Sequence, residues 1–270
     1  MTIQEEQAVH IAARPFFDFV RLEIAPEIEY NRGERMRYCM FQGFPEETVR
    51  FFLDLRFHNE VPWFHAHREE YEAYVREPFR AFVEAMAPTI TRLGDDMELR
   101  PNRCIARINR DIRYTKDKSP YRDHLWVLFR RAGEEREHSV MYWFELTPES
   151  MVWGLGFWGY NRPAMDVLRE MMAQKPAVVH RALHASGLPD ENLPIFGDRY
   201  AKMKPLPGMA ADLAMLYPMK EIYIRRSNVP VSRAYSPDLV EMISQDYLRL
   251  LPMYRLLRKA ADEGMARLDG

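Results

Sequence analysis

The chain has 270 residues, 47% of them hydrophobic and 29% charged, with 38 basic against 40 acidic side chains and a formal charge of −2. That size and balance describe one large domain or two small ones with a substantial core, and an ordinary globular composition. No apolar run approaches the roughly 18 residues that span a bilayer, and the N-terminus lacks the apolar core of a secretory signal, so a membrane setting is not expected.

Only two cysteines occur, Cys39 and Cys104, and neither belongs to a CxxC. Free thiols in a reduced, cytoplasmic protein are the simplest reading. Charge is unevenly spread. Residues 1–100 carry 12 Arg and no Lys against 19 acids, whereas residues 101–270 carry 26 basic against 21 acidic groups. The second part can offer a positive surface to a small anion. The excess is too thin for bulk electrostatic binding of nucleic acid.

Residues 1–40 read as an N-terminal extension with one short helix around FFDFVRLEI, and residues 41–270 as a single domain. Pro45, Glu46 and Glu47 open a helix over TVRFFLDLRF that stops near HNEVP. A long helical stretch follows from Trp63, with Phe64, Tyr71, Val75, Phe79, Phe82 and Met86 on one face. Pro78 should kink or divide it.

The period then changes. RCIARIN, HLWVLFRR, HSVMYWFEL and MVWGLGFW are short, aromatic and β-branched, and read as strands. TPES, residues 147–150, joins two of them as an antiparallel hairpin. After Tyr160 helices return. Asn161 and Pro163 open one, Pro176 opens the next with Gly187 to close it, and Ser236 to Asp238 start another before Pro252. KEIYIRR, 220–226, reads as a further strand. The order of helices, strands and helices predicts an α+β fold with a mainly antiparallel sheet.

Two familiar motifs carry little weight. GLGFWG, 154–159, matches GxGxxG, but it follows an antiparallel strand and lacks the acid of a dinucleotide fold, so close backbone approach explains the glycines better. His180 and His184 have the spacing of a metal pair, but Arg181 stands where a metalloprotease carries glutamate, and a partly exposed helix face is the simpler reading. No metal or other cofactor is expected.

The concentrated feature is NRDIRYTKDKSPYR, 109–122, between two apolar segments. One reading is an anion-accepting pocket for phosphate or carboxylate. Arg110 and Arg113 hold the anion, Lys116 and Lys118 close over it, Tyr121 donates a hydrogen bond, and Asp111 orients an arginine or, if the protein is an enzyme, acts as a base. Asp117, Arg122, Trp63 and Arg169 complete the candidate ligand set, and Lys220 is an outlying candidate for the same pocket. The other reading is a non-enzymatic structural or interaction protein in which the same charges form a salt-bridged hairpin brace. Carboxylates matched to every guanidinium would mark the brace; cations converging on a concavity would mark the pocket.

FQGFP, FFLDL, HNEVPWFHAHREEYEAYVREPF, RINRDIRYTKDKSPYR and WFELTPESMVWGLGFW together resemble the bacterial and fungal family called domain of unknown function 2461 (DUF2461). The resemblance runs from about residue 41 to the C-terminus and is weak after residue 175. His58 and Asn59 stand where the family has paired asparagines, Tyr114 where it has phenylalanine, and Arg122 where lysine often ends the motif. The resemblance implies an α+β domain and no assigned activity. It implies that Trp63, Arg110, Asp111, Arg113, Asp117, Lys118, Pro120 and Tyr121 belong to the family signature.

Overall fold

The computed structural model describes residues 41–136 and 139–268. The expected helix at FFDFVRLEI, the 1–40 extension and Cys39 lie outside the described residues. The order of elements is that of an α+β protein.

Helix α1 (Glu46–Phe57) starts behind Pro45, with Glu46 and Glu47 at the positive end of its dipole. Its buried face carries Phe51, Phe52 and Leu55. The stretch expected as one helix from Trp63 is built in pieces: α2 (Val61–Ala66), α3 (Arg68–Glu70), a π-helical turn (Tyr71–Arg76) and α4 (Glu77–Leu93). Pro78 sits in the first turn of α4. Proline there has no N–H to give the preceding turn, and the Tyr74 carbonyl four residues back accepts instead from Thr48 Oγ1 at 2.5 Å.

RCIARIN does not form the expected strand. Pro101–Cys104 is a short helix, α5. The chain beyond it is extended but meets its neighbours only at two isolated antiparallel bridges, Ile105 with Val127 and Asn109 with Tyr121. The strands proper are β1 (Leu125–Phe129), β2 (Val140–Leu146), β3 (Ser150–Phe157), β4 (Ile195–Phe196) and β5 (Tyr223–Pro230). They form one five-stranded sheet in the order β1-β2-β3-β5-β4, every pair antiparallel. The β2–β3 turn is TPES: Thr147 N donates to Ser150 O at 3.0 Å, and Thr147 Oγ1 accepts from the Ser150 amide at 3.0 Å. The late strand starts at Tyr223 rather than Lys220, because the Lys220 amide is bonded to Asp198 O at 2.7 Å.

Alternation divides the sheet. Val127, Tyr142, Phe144, Trp153, Leu155 and Ile224 share the core face and are fully buried. Phe82 meets Phe144 there, ring centroids 4.6 Å apart, and Tyr247 meets Tyr142 at 4.7 Å. These contacts seat α4 and α9 (Asp238–Arg249) on that face, and Tyr254, 5.2 Å from Tyr142, does the same for α10 (Leu251–Ala266). Trp153 Nε1 donates to Asp246 at 2.8 Å, and the same carboxylate takes both Arg226 bonds at 2.7 and 3.0 Å. Helices α6 (Arg162–Gln174) and α7 (Pro176–Ala185) follow β3. Asn161 Oδ1 caps α6 by accepting from the Ala164 amide at 3.1 Å.

Gly154 and Gly156, two of the three glycines of GLGFWG, stand on the outer face. A Cβ on Gly154 would lie 2.0 Å from Ile224 O, and one on Gly156 would lie 2.5 Å from Tyr223 Cβ. Their role is close approach of β3 to β5, not phosphate binding. Among the described residues no helix is long and apolar enough to cross a membrane.

Candidate functional site

The charged stretch is the tip of a hairpin clamped at its base. Arg110 N donates to Pro120 O at 2.9 Å, and Arg122 N to Ile108 O at 2.8 Å. Asn59 pairs with Tyr121 like a third strand: its Nδ2 donates to Tyr121 O, and its Oδ1 accepts from Tyr121 N, both at 3.0 Å. The Tyr121 ring stacks on Phe64, centroids 4.1 Å apart. These contacts tie the NEVPWF segment to SPYR.

Beyond Asn109 the chain leaves the ladder. The alternation expected of a strand fails there: Ile108 is buried and Ile112 is exposed. In the tip, Arg110 pairs with Asp117. Arg113 makes a forked pair with Asp111 at 2.9 and 2.7 Å. Asp117 also accepts from the Ser119 amide at 2.9 Å and hydroxyl at 2.7 Å. Lys118 Nζ donates to Ile112 O at 2.8 Å, and Lys116 is exposed. The bonds from Arg113 hold the Asp111 carboxyl down at about 2. The bonds from Ser119, then Arg110, do the same for Asp117, also about 2. The tip arginines therefore face their own carboxylates.

Two sequence candidates are not brought to the hairpin. Arg169 is buried; its donors reach Tyr217 O at 3.0 Å, Met219 O at 2.5 Å and Asp166 at 2.6 Å. It pins α6 to the chain before β5, and it shares the Tyr200 ring with Lys220. Trp63 stacks on His67 at 4.0 Å and lies 5.7 Å from His58.

Arg122 differs from the tip arginines. Its guanidinium donates to the carbonyls of Arg107, at 2.6 Å, and Asn109, and has no carboxylate partner. It lies over the Trp126 ring at 4.8 Å. Trp126 is 6.3 Å from Trp158, and Arg136 lies over Trp158, again at 4.8 Å. Burial lowers the Arg122 pKa, and the charges of Arg110 and Arg136 push it the same way. Two guanidiniums stacked on neighbouring indoles thus repel each other.

Both indoles line the cleft on the outer face of the sheet, a concavity of about 490 Å³. Trp143 and Tyr223 wall it. Gly154 and Gly156, opposite Trp143 and Met141 in the β2–β3 register, add no side chains to that face. Two donors in its lining are buried without a partner, Trp126 Nε1–H and Arg225 Nε–H. Such groups are costly unless something bonds them. Arg225 also lies over Phe196 at 4.5 Å. The cleft is not purely cationic. Glu145 lies 3.6 Å from His124, and burial raises the Glu221 pKa. The arrangement can hold a flat ring between aromatic walls, with Arg225 in the lining and Arg122 and Arg136 on the two indoles as the nearby cations.

Sequence reasoning singled out Arg122 and missed Trp158, Arg136 and Arg225. The period of two places Trp126 and Trp143 on the face away from the core. Nothing local placed β5 beside β3.

A second concavity of about 350 Å³ lies behind the hairpin, with Arg68, Arg76, Arg80, Arg107 and Tyr121 in its lining. Two of these arginines are paired, Arg76 with Glu72 and Arg80 with Glu77, each at 3.0 Å. The donors able to hold a metal lie elsewhere. His180 and His184 come together with Asp212, the three donor atoms within 4.8 Å of one another.

Comparison with known protein families gives one match. The model described as "Conserved hypothetical protein (DUF2461)" matches residues 47–255, most of the chain. No curated protein matches it.

Proposed function

The chain belongs to the DUF2461 family, and from that premise we propose that it binds a small planar anion in the cleft on the outer face of its sheet. The observation that carries this reading is the pair Arg122 and Arg136, stacked on adjacent indoles with no carboxylate partner among the described residues. An aromatic or conjugated carboxylate or phosphate would relieve their repulsion, and its ring would fill an apolar cavity of ordinary ligand size. The same ligand would give acceptors to Trp126 Nε1 and Arg225 Nε. The reading is one of binding in the cytoplasm, in keeping with Cys104 as a buried free thiol, and it assigns no reaction.

The hairpin tip serves this site as a brace. Its ion pairs, one of them forked, hold the turn, and the turn holds Arg122. The tip's matched charges also favour a second reading, in which the protein is structural or interacts with another protein and the cleft binds no small molecule.

Thermal shift with benzoate, indole carboxylate, nucleoside monophosphates and inorganic phosphate separates the two. A ligand at 100 times its dissociation constant adds about 2.7 kcal/mol of stability. An aromatic anion that raises the melting temperature in wild type but not in Arg136→Gln or Arg225→Gln supports the cleft. Inorganic phosphate acting alone, with its effect lost in Arg107→Gln, would move the site to the arginine concavity. No stabilisation by any member overturns the proposal.

A further inference from the structure

We infer that His180, His184 and Asp212 form a binding site for a divalent transition metal of the zinc class. His180 and His184 stand one turn apart on α7, so their rings lie on one face, centroids 6.2 Å apart and 24° from parallel. The third donor comes from another element. Asp212 is in the first turn of α8 (Ala211–Leu216), and its Oδ2 lies 2.7 Å from His180 Nδ1. Its other oxygen is held by the Leu213 amide at 2.9 Å, which fixes the carboxylate plane.

Donors on one tetrahedral zinc, bound at about 2.0–2.2 Å, stand about 3.3–3.5 Å from each other. In this trio all three lie within 4.8 Å. Small rotations of the half-buried His180 ring and the exposed His184 ring about the fixed Asp212 carboxylate therefore bring the three donors into a coordination sphere. Two imidazoles and one carboxylate suit zinc, cobalt, nickel or copper, and not the all-oxygen ions calcium and magnesium. Three protein donors leave a position free. His180 also lines a cavity of about 310 Å³ walled by Met172, Leu206, Met209 and Leu213. A water or small ligand on the metal has room there. Arg181 stands about 100° around the helix from His180 and about 60° from His184, so its cation flanks the donor face without supplying a ligand.

The competing explanation is a His180–Asp212 ion pair with His184 as a bystander. The two accounts differ at His184, which takes no part in that pair. The experiment uses the full, untagged chain after chelation, with Co²⁺ absorption and Zn²⁺ calorimetry near pH 7.5. The expected result is a visible d–d band and one zinc per chain, with affinity at least tenfold weaker in both His184→Asn and Asp212→Asn. Circular dichroism of each variant checks that it remains folded. No band and no binding heat in wild type would overturn the inference, as would zinc binding unchanged in either variant.

Discussion

Arg122 lies over Trp126, 4.8 Å from guanidinium to ring, and hydrogen-bonds the carbonyls of Arg107 and Asn109 in place of any carboxylate. One side chain thereby joins the hairpin base to the wall of the cleft. The two roles separate by mutation. Arg122→Lys keeps the charge but loses the planar stack on Trp126, so aromatic-anion affinity should fall about tenfold with the fold intact. Arg122→Ala should also lower stability by about 2 kcal/mol, through lost charge-assisted bonds. Calorimetry and urea unfolding read the two effects. An alanine variant that binds and unfolds like wild type would remove Arg122 from both roles.

Gly154→Ala should be strongly destabilising. The added Cβ would sit 2.0 Å from Ile224 O, a backbone atom that can move only with β5. The expected loss is about 3 kcal/mol, in the range of strained core changes. A lower urea midpoint with unchanged slope would show it. A melting temperature equal to wild type would mean β3 and β5 stand farther apart than described.

Asp246 collects three donors, one from Trp153 and two from Arg226. Asp246→Ala strands a partly buried guanidinium, which costs about 3–5 kcal/mol. Asp246→Ala combined with Arg226→Met should recover part of that loss, since removing both partners leaves no unpaired charge. The double variant unfolding no later than the single one in urea would contradict this account.

Glu98 supplies a pH test. Its bonds from Arg100 lower its pKa from 4.5 to about 2. A folded-state value below the unfolded one means the carboxylate stabilises the fold fully above the unfolded value. That stabilisation is lost as pH falls from about 4.5 towards 2. Wild type should therefore melt above Glu98→Gln at pH 7, and the two curves should converge near pH 2. A gap independent of pH would mean the charge of Glu98 contributes nothing.

Much of the fold was legible because its signals are local. Pro45 with two acids marks α1, Asn161 marks α6, and TPES marks a turn whose hydroxyl satisfies its own backbone. RCIARIN misled because apolar alternation does not ensure a partner along the whole edge. Only Ile105 and Asn109 find one, and Pro101 nucleates a short helix first. The Pro78 break was foreseen, whereas its form as a π turn depends on bonds across neighbouring turns.

The sequence by itself determined the α+β class, the place of the charged hairpin and the two faces of each strand, because these follow from spacing, turn chemistry and period. Only the tertiary structure decided which arginines meet carboxylates. Asp111 and Asp117 turn to Arg113 and Arg110, while Arg122 turns away to an indole. It alone also brought β5 beside β3, the Trp158 that carries Arg136 beside Trp126, and Asp212 beside His180. The physical reason is range. Hydrogen-bonding turns and periodicity act over a few residues, whereas clefts and donor sets are made where segments far apart in the chain pack together.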